Sequence, residues 1–276
     1  MTTTAERCAL PGTSVSALFE GWQAGFYDLP AALTDAARAH GPLVLAAHDA
    51  RVAETAARPD RRRSLAGRDE YEEAVDDRKQ ATRRVDASLA GIEGIVSLLG
   101  DQLVTDYLRP AHDATLAAVL DVLPDLEGID LADFAAIARA GSGASAGFLV
   151  VVAASERLAA IDAARECVFA RVRLGSAWRD TSRDARLDGA LRDTRRWPDL
   201  GRVATISKLG KVRVGPVNPF TRTAWLADPA NGAWCPTADE WQAEFDRWMA
   251  DPARNGRVTG RVPMVRNAYI SRGARR

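Results

Sequence analysis

Two His-Asp dipeptides, His48-Asp49 and His112-Asp113, carry the residue types that hold a divalent metal for phosphate-ester hydrolysis. A closed cage would need a further His and Asp at helical spacing. His40 is the third and last histidine, and Gly41-Pro42 reads as a helix break between it and His48. The expectation is therefore no metal, and a metal-dependent hydrolase is the last of three functional readings. Gly141, Gly143 and Gly147 make a GxGxxxG spacing, a relaxed form of a dinucleotide-phosphate cradle. That cradle needs a strand before the glycines and a helix N-terminus aimed at the pyrophosphate after them. A helical pattern precedes these glycines and no acidic partner follows in a βαβ unit, so no cofactor is expected. Cys235 sits beside Trp234 and just before a helix start, where a thiol pKa can fall. A lone Cys beside Trp reads more simply as packing. The chain has no zinc-spaced Cys pair and no Walker sequence. The carboxylates of residues 69–77 read as a solvated helix face. No catalytic residue is assigned.

The element around which the rest is organised runs from Tyr71 to Leu103. Val75, Thr82, Leu89, Val96 and Leu103 recur every seven residues, and Tyr71, Arg78, Val85, Ile92 and Leu99 interleave at the same period. Arg78 is the single charged residue among the ten. This 3-4 alternation places one continuous stripe along a helix. The expected fold is mainly α: a long central helix over residues 60–109 inside a helical bundle. Tyr71, Val75, Val85, Leu89, Ile92 and Val96 are its candidate interface residues. Pro110 should kink or end it. Asp69, Glu70, Glu72, Glu73, Asp76 and Asp77 form a run without a base, answered by Arg78, Lys79, Arg83 and Arg84. Two copies laid antiparallel with a small stagger would set acid against base, so a self-association or a heterologous helix contact through residues 60–88 is expected, with Tyr71, Val75 and Val85 in the seam, weakening as salt rises.

On the N-terminal side, Leu18, Trp22 and Phe26 lie at helical spacing. A helix capped by Asp28 should stop at Gly41-Pro42, with another over roughly 43–57. Beyond the central element, a short helix is expected over 130–140, then a small-residue loop from Gly141 to Gly147. Phe148 to Val152 fits a buried strand or a helix start, and the uninterrupted Ala-rich sequence beyond favours helix. At Trp197-Pro198 the character changes, which places a domain boundary near 196. Arg202–Ser207 and Lys211–Gly215 read as a hairpin, Thr237-Ala-Asp-Glu240 has the capping-box form, and Trp241, Phe245, Trp248 and Met249 follow on one helical face. Arg257 to Val265 reads as a further strand. The expected organisation is a helical scaffold, 1–195, and a small basic α+β domain, 196–276, with an Arg-rich tail.

Lys+Arg and Asp+Glu both number 37, so no whole-chain field selects nucleic acid or membrane. The local balance differs. Arg202, Lys208, Lys211, Arg213, Arg222, Arg257, Arg261 and Arg266 make the C-terminal region basic, with aromatic residues interspersed. Three cysteines far apart argue against a disulfide framework. The polar start, Met1 to Leu10, lacks the apolar core of a signal peptide, and Phe148 to Ala154 is far shorter than the ~20 residues of a membrane span. Cytoplasmic synthesis is expected. The leading functional expectation is a non-catalytic structural or assembly protein with protein partners, for which a phage or prophage virion is one setting. The alternative is a nucleic-acid-binding accessory protein acting through residues 195–276.

Overall fold

The computed structural model describes residue 10 and residues 12–58, 68–172, 204–206, 212–214, 216 and 218–250. The protein is mainly helical. Helix α1 (Ser16–Gln23) precedes two long helices, α2 (Ala31–Ala57) and α3 (Arg68–Leu99). A short α4 (Asp101–Leu103), a π turn (Val104–Leu108) and α5 (Arg109–Val122) then form one rod, followed by α6 (Phe134–Ala140) and α7 (Ser142–Val172). Near the C-terminus lie strands β1 (Ala204–Ile206) and β2 (Val212–Val214), then α8 (Pro219–Ala227) and α9 (Ala238–Ala250). The strands pair antiparallel, Thr205 opposite Arg213. The expected boundary at 196, the turn Lys208-Leu-Gly210 and the strand expected over 257–265 lie outside the described residues.

Helix α7 is the hub. Its C-terminal half gives Ile161, Ala164 and Val168 to a core shared with Leu18, Phe19, Leu33, Ile92, Val96, Leu103, Leu108 and Trp241. Its N-terminal half gives Phe148 and Val151 to a second core with Val119, Leu126, Ile137 and Ala227. The run Phe148–Val152 is therefore helical, as its Ala-rich continuation implied. The expected loop 141–147 is instead the start of α7, after a break at Gly141 alone. Burial of Gly147 against Val122 and Leu126 explains this: small residues let α7 begin directly beneath α5. Helix α7 is also long and apolar enough to cross a membrane. Here it lies among α1, α3, α5, α6 and α8, and Glu156, Arg157, Asp162, Arg165 and Glu166 punctuate its second half.

The central helix differs from its expected span. It ends at Leu99, ten residues short of 109, and the next rod leaves at 76°. Gly100 makes the corner at φ +47°, ψ −124°, and a Cβ there would lie 3.3 Å from a Val172 methyl. Only glycine adopts that conformation cheaply. Pro110 neither kinks nor ends the rod. It sits at the start of α5, and the π turn before it absorbs the cost: the Arg109 N–H reaches back five residues to the Val104 carbonyl. That shift relieves the contact between the Pro110 ring and the carbonyl four residues earlier.

A second difference is at Gly41-Pro42. Helix α2 runs through both without a break, and its cap position is Pro30, with no side-chain cap, rather than Asp28. Pro42 forfeits one helical hydrogen bond. Packing against α3 along nearly the whole of α2 outweighs that loss, as tertiary contacts override local propensity elsewhere.

Candidate functional site

Helices α2 and α3 form an antiparallel pair whose joined ends project from the body as an arm. In α2, Ala36, His40, Leu43, Ala47, Ala50, Glu54 and Ala57 follow a strict 4-3 spacing, and each is at least partly buried. In α3 the covered positions are Tyr71, Ala74, Val75, Arg78, Ala81, Val85, Ser88 and Leu89, leading to Ile92 and Val96 at the base. Of the predicted interface residues, Ile92 and Val96 are fully buried, and Tyr71, Val75, Val85 and Leu89 are half-buried against α2. One predicted column shifts. Thr82 is exposed and donates its hydroxyl to the Arg78 carbonyl, while Ala74, Ala81 and Ser88 take the inner line. Small residues there let α2 approach closely, which a column of larger side chains would prevent. The charged residue that broke the α3 stripe, Arg78, meets the carboxylate that breaks the α2 stripe, Glu54. The two exceptions answer one another and fix the register of the pair.

Residues 42–58 and 68–91 contain no buried side chain. The arm thus extends about 25–35 Å, at ~1.5 Å per residue, supported by its own seam alone. On its outer side α2 exposes Leu45 (57%) and Val52 (53%), two turns apart on one face. The carboxylates Asp69, Glu70, Glu72, Glu73, Asp76 and Asp77 and the bases Lys79, Arg83 and Arg84 are all exposed along α3.

At the root of the arm, His40 is buried and its Nδ1 has no hydrogen-bond partner among the described residues. Burial holds its pKa below the ordinary 6.5. The unfolded chain therefore binds the proton before the folded one does. Its contribution is fully present above about pH 6.5 and is lost as pH falls through the folded value. Denaturation midpoints measured from pH 7.5 to 5 should decline more steeply in the wild-type protein than in His40→Leu. Identical pH profiles would show that His40 is not held neutral.

A polar clasp fastens the C-terminal segment to the body. Thr237 and Glu240 form the expected capping box: Thr237 Oγ1 accepts from the Glu240 N–H at 3.1 Å, and Glu240 accepts from the Thr237 N–H at 3.0 Å. Asp101, from α4, accepts from the N–H groups of Ala238 (2.8 Å) and Asp239 (3.3 Å). Arg109 pairs with Glu240 and donates to the Cys235 carbonyl at 3.0 Å. The first-turn donors of α9 are thus met from its own cap and from a helix far away in sequence. Beneath them Arg165, buried in α7, pairs with Asp162 at 3.0 Å. Burial, partly offset by Arg165 and Arg109, pushes the Cys235 thiol up to about 11. The thiol is protonated at neutral pH, the reverse of the activation that its place before a helix suggested.

The other chemistry-bearing residues do not converge. His48 is exposed halfway along the arm, whereas His112 is buried in α5 with Nδ1 2.8 Å from the Asp113 carboxylate. No group of three His, Cys, Asp or Glu side chains among the described residues makes a metal-sized cluster. Gly141 and Gly143 follow helix α6 rather than a strand, so the cradle geometry is lacking. Of the basic residues, Arg213 lies in β2 and Arg222 is half-buried in α8. Arg202, Lys208, Lys211, Arg257, Arg261 and Arg266 lie outside the described residues, as do the side chains of Phe245, Trp248 and Met249. The clasp, with Asp101 and Arg109 as its anchors, was not foreseen. The one sequence sign of it was Thr237-Ala-Asp-Glu240. No protein-family model matches the chain, and no curated protein or solved structure is significantly similar to it.

Proposed function

We propose that this chain is a non-catalytic assembly protein whose projecting α2–α3 arm is the contact element. The supporting observation is the arm itself: two long helices that leave the body, bury nothing beyond their seam, and present segregated charge with Leu45 and Val52 exposed. The polar groups at the base of α9 support the same reading, because they are spent on capping and ion pairing. The basic region, 196–276, supplies a second contact with an acidic partner surface, and a phage or prophage particle is one assembly of this kind. Sedimentation at low and high salt tests the proposal, with a variant carrying Lys at Glu72, Glu73, Asp76 and Asp77. Self-association of the wild-type chain should weaken as salt rises and be lost in the variant. A salt-independent monomer in both would overturn the proposal. If that monomer instead shifted labelled duplex DNA with a steep salt dependence, function would move to the basic region as a nucleic-acid-binding accessory protein.

A further inference from the structure

We infer that the occupant of the arm is the arm of a second copy, laid antiparallel about a two-fold axis between Asp77 and Arg78 of α3. This inference rests on the assembly reading and names its partner and register. Because Tyr71, Val75 and Val85 face α2, a second copy cannot use them without displacing that helix. About a quarter-turn around α3 lies a strip of six exposed side chains: Arg68, Glu72, Asp76, Lys79, Arg83 and Asp86. In order these read basic, acidic, acidic, basic, basic, acidic. Read backwards, the strip is acidic, basic, basic, acidic, acidic, basic, the complement of itself at all six places. An antiparallel neighbour therefore sets Glu72 opposite Arg83, Asp76 opposite Lys79 and Arg68 within one residue of Asp86, and the two-fold repeats each pair. A parallel, in-register neighbour sets like against like throughout. Within one chain Arg68 pairs with Glu72 and Lys79 with Asp76, both at 3.0 Å. Glu72 and Asp76 are 64% and 77% exposed in those pairs, so they exchange readily for a second helix.

The self-complementary order gives a test that a merely solvated face would not pass. Three forms of the full chain are compared with wild type by sedimentation equilibrium at low salt: Glu72→Lys with Asp76→Lys, Lys79→Glu with Arg83→Glu, and all four together. Each double variant places like charges opposite one another and should weaken self-association roughly tenfold or more. The fourfold variant restores opposite charge at the same places and should return to about the wild-type affinity. Circular dichroism of each variant establishes that these exposed changes leave the helices intact. A fourfold variant as weak as the doubles would overturn the pairing. A wild-type dimer indifferent to every substitution would remove the pairing and leave the assembly reading standing. A wild-type chain monomeric at low salt would remove both.

Discussion

Replacing Ile92 by Ala is expected to cost roughly 2–5 kcal/mol of folding free energy, the range for emptying a filled core site. Ile92 lies where the arm meets the body, in the core that also holds Leu33, Val96 and Ile161. Val96→Ala should fall in the same direction with fewer atoms lost. Leu89→Ala should cost less, because Leu89 is only half-buried. The comparison site matters. Glu93 follows Ile92 yet pairs with Arg171 and accepts from Ser14, tying α3 to α7 and to the lead into α1. Glu73, exposed on the arm, is the proper control. Urea melts of Ile92→Ala and Glu73→Ala showing the same small change would contradict burial of the stripe at its base.

The second large effect is at Gly21, inside α1. Helix propensity alone favours Gly21→Ala by about 1 kcal/mol. Packing opposes it: a Cβ at Gly21 would stand 2.6 Å from Cε1 and 2.7 Å from Cζ of Tyr27. Tyr27 is buried, and its hydroxyl donates to the Leu18 carbonyl at 2.9 Å. Burial above all, with smaller contributions from Cys167 and Glu20, holds that phenol protonated far above its usual range. Moving the ring strains a filled core and strands a buried hydroxyl, each a matter of ~1–3 kcal/mol. These effects exceed the propensity gain, so Gly21→Ala should destabilise by roughly 1–5 kcal/mol net. In a Tyr27→Ala background the obstacle is gone and the same substitution should turn neutral or favourable. A double-mutant cycle from denaturant melts measures the coupling. A stabilising Gly21→Ala in the wild-type background would mean that Tyr27 does not lie there.

What could be read from the sequence depended on how local its cause was. The capping box at Thr237–Glu240, the helix through Phe134 and Ile137 and the helical state of Phe148–Val152 follow from spacing within a few residues. The heptad stripe of α3 announced a buried face, and Arg78 stood out as its exception. That α2 is what covers the face was hidden, because Gly41-Pro42 disguised α2 as two short helices. Glu54, the partner of Arg78, was hidden with it. The corner at Gly100 was one of three glycines in the same stretch. Gly91 and Gly94 stay helical and exposed, and nothing local separates them from Gly100. The clasp depends on groups more than a hundred residues apart, beyond the reach of any motif.

That separation also sets the order in which the molecule can be made. Arm contacts join residues close in sequence, so α2 and α3 can pair soon after both have been synthesised. The core around α7 remains open on one side until Trp234, Cys235 and Trp241 arrive. The hydrogen bonds from Asp101 to the start of α9 span 137 and 138 residues. Contacts of that range close loops slowly, and domains form from the N-terminal end during synthesis. A growing chain therefore presents a finished arm while its body is still incomplete, and a segment made long after the arm, from Trp234 to Trp241, is the one that closes it.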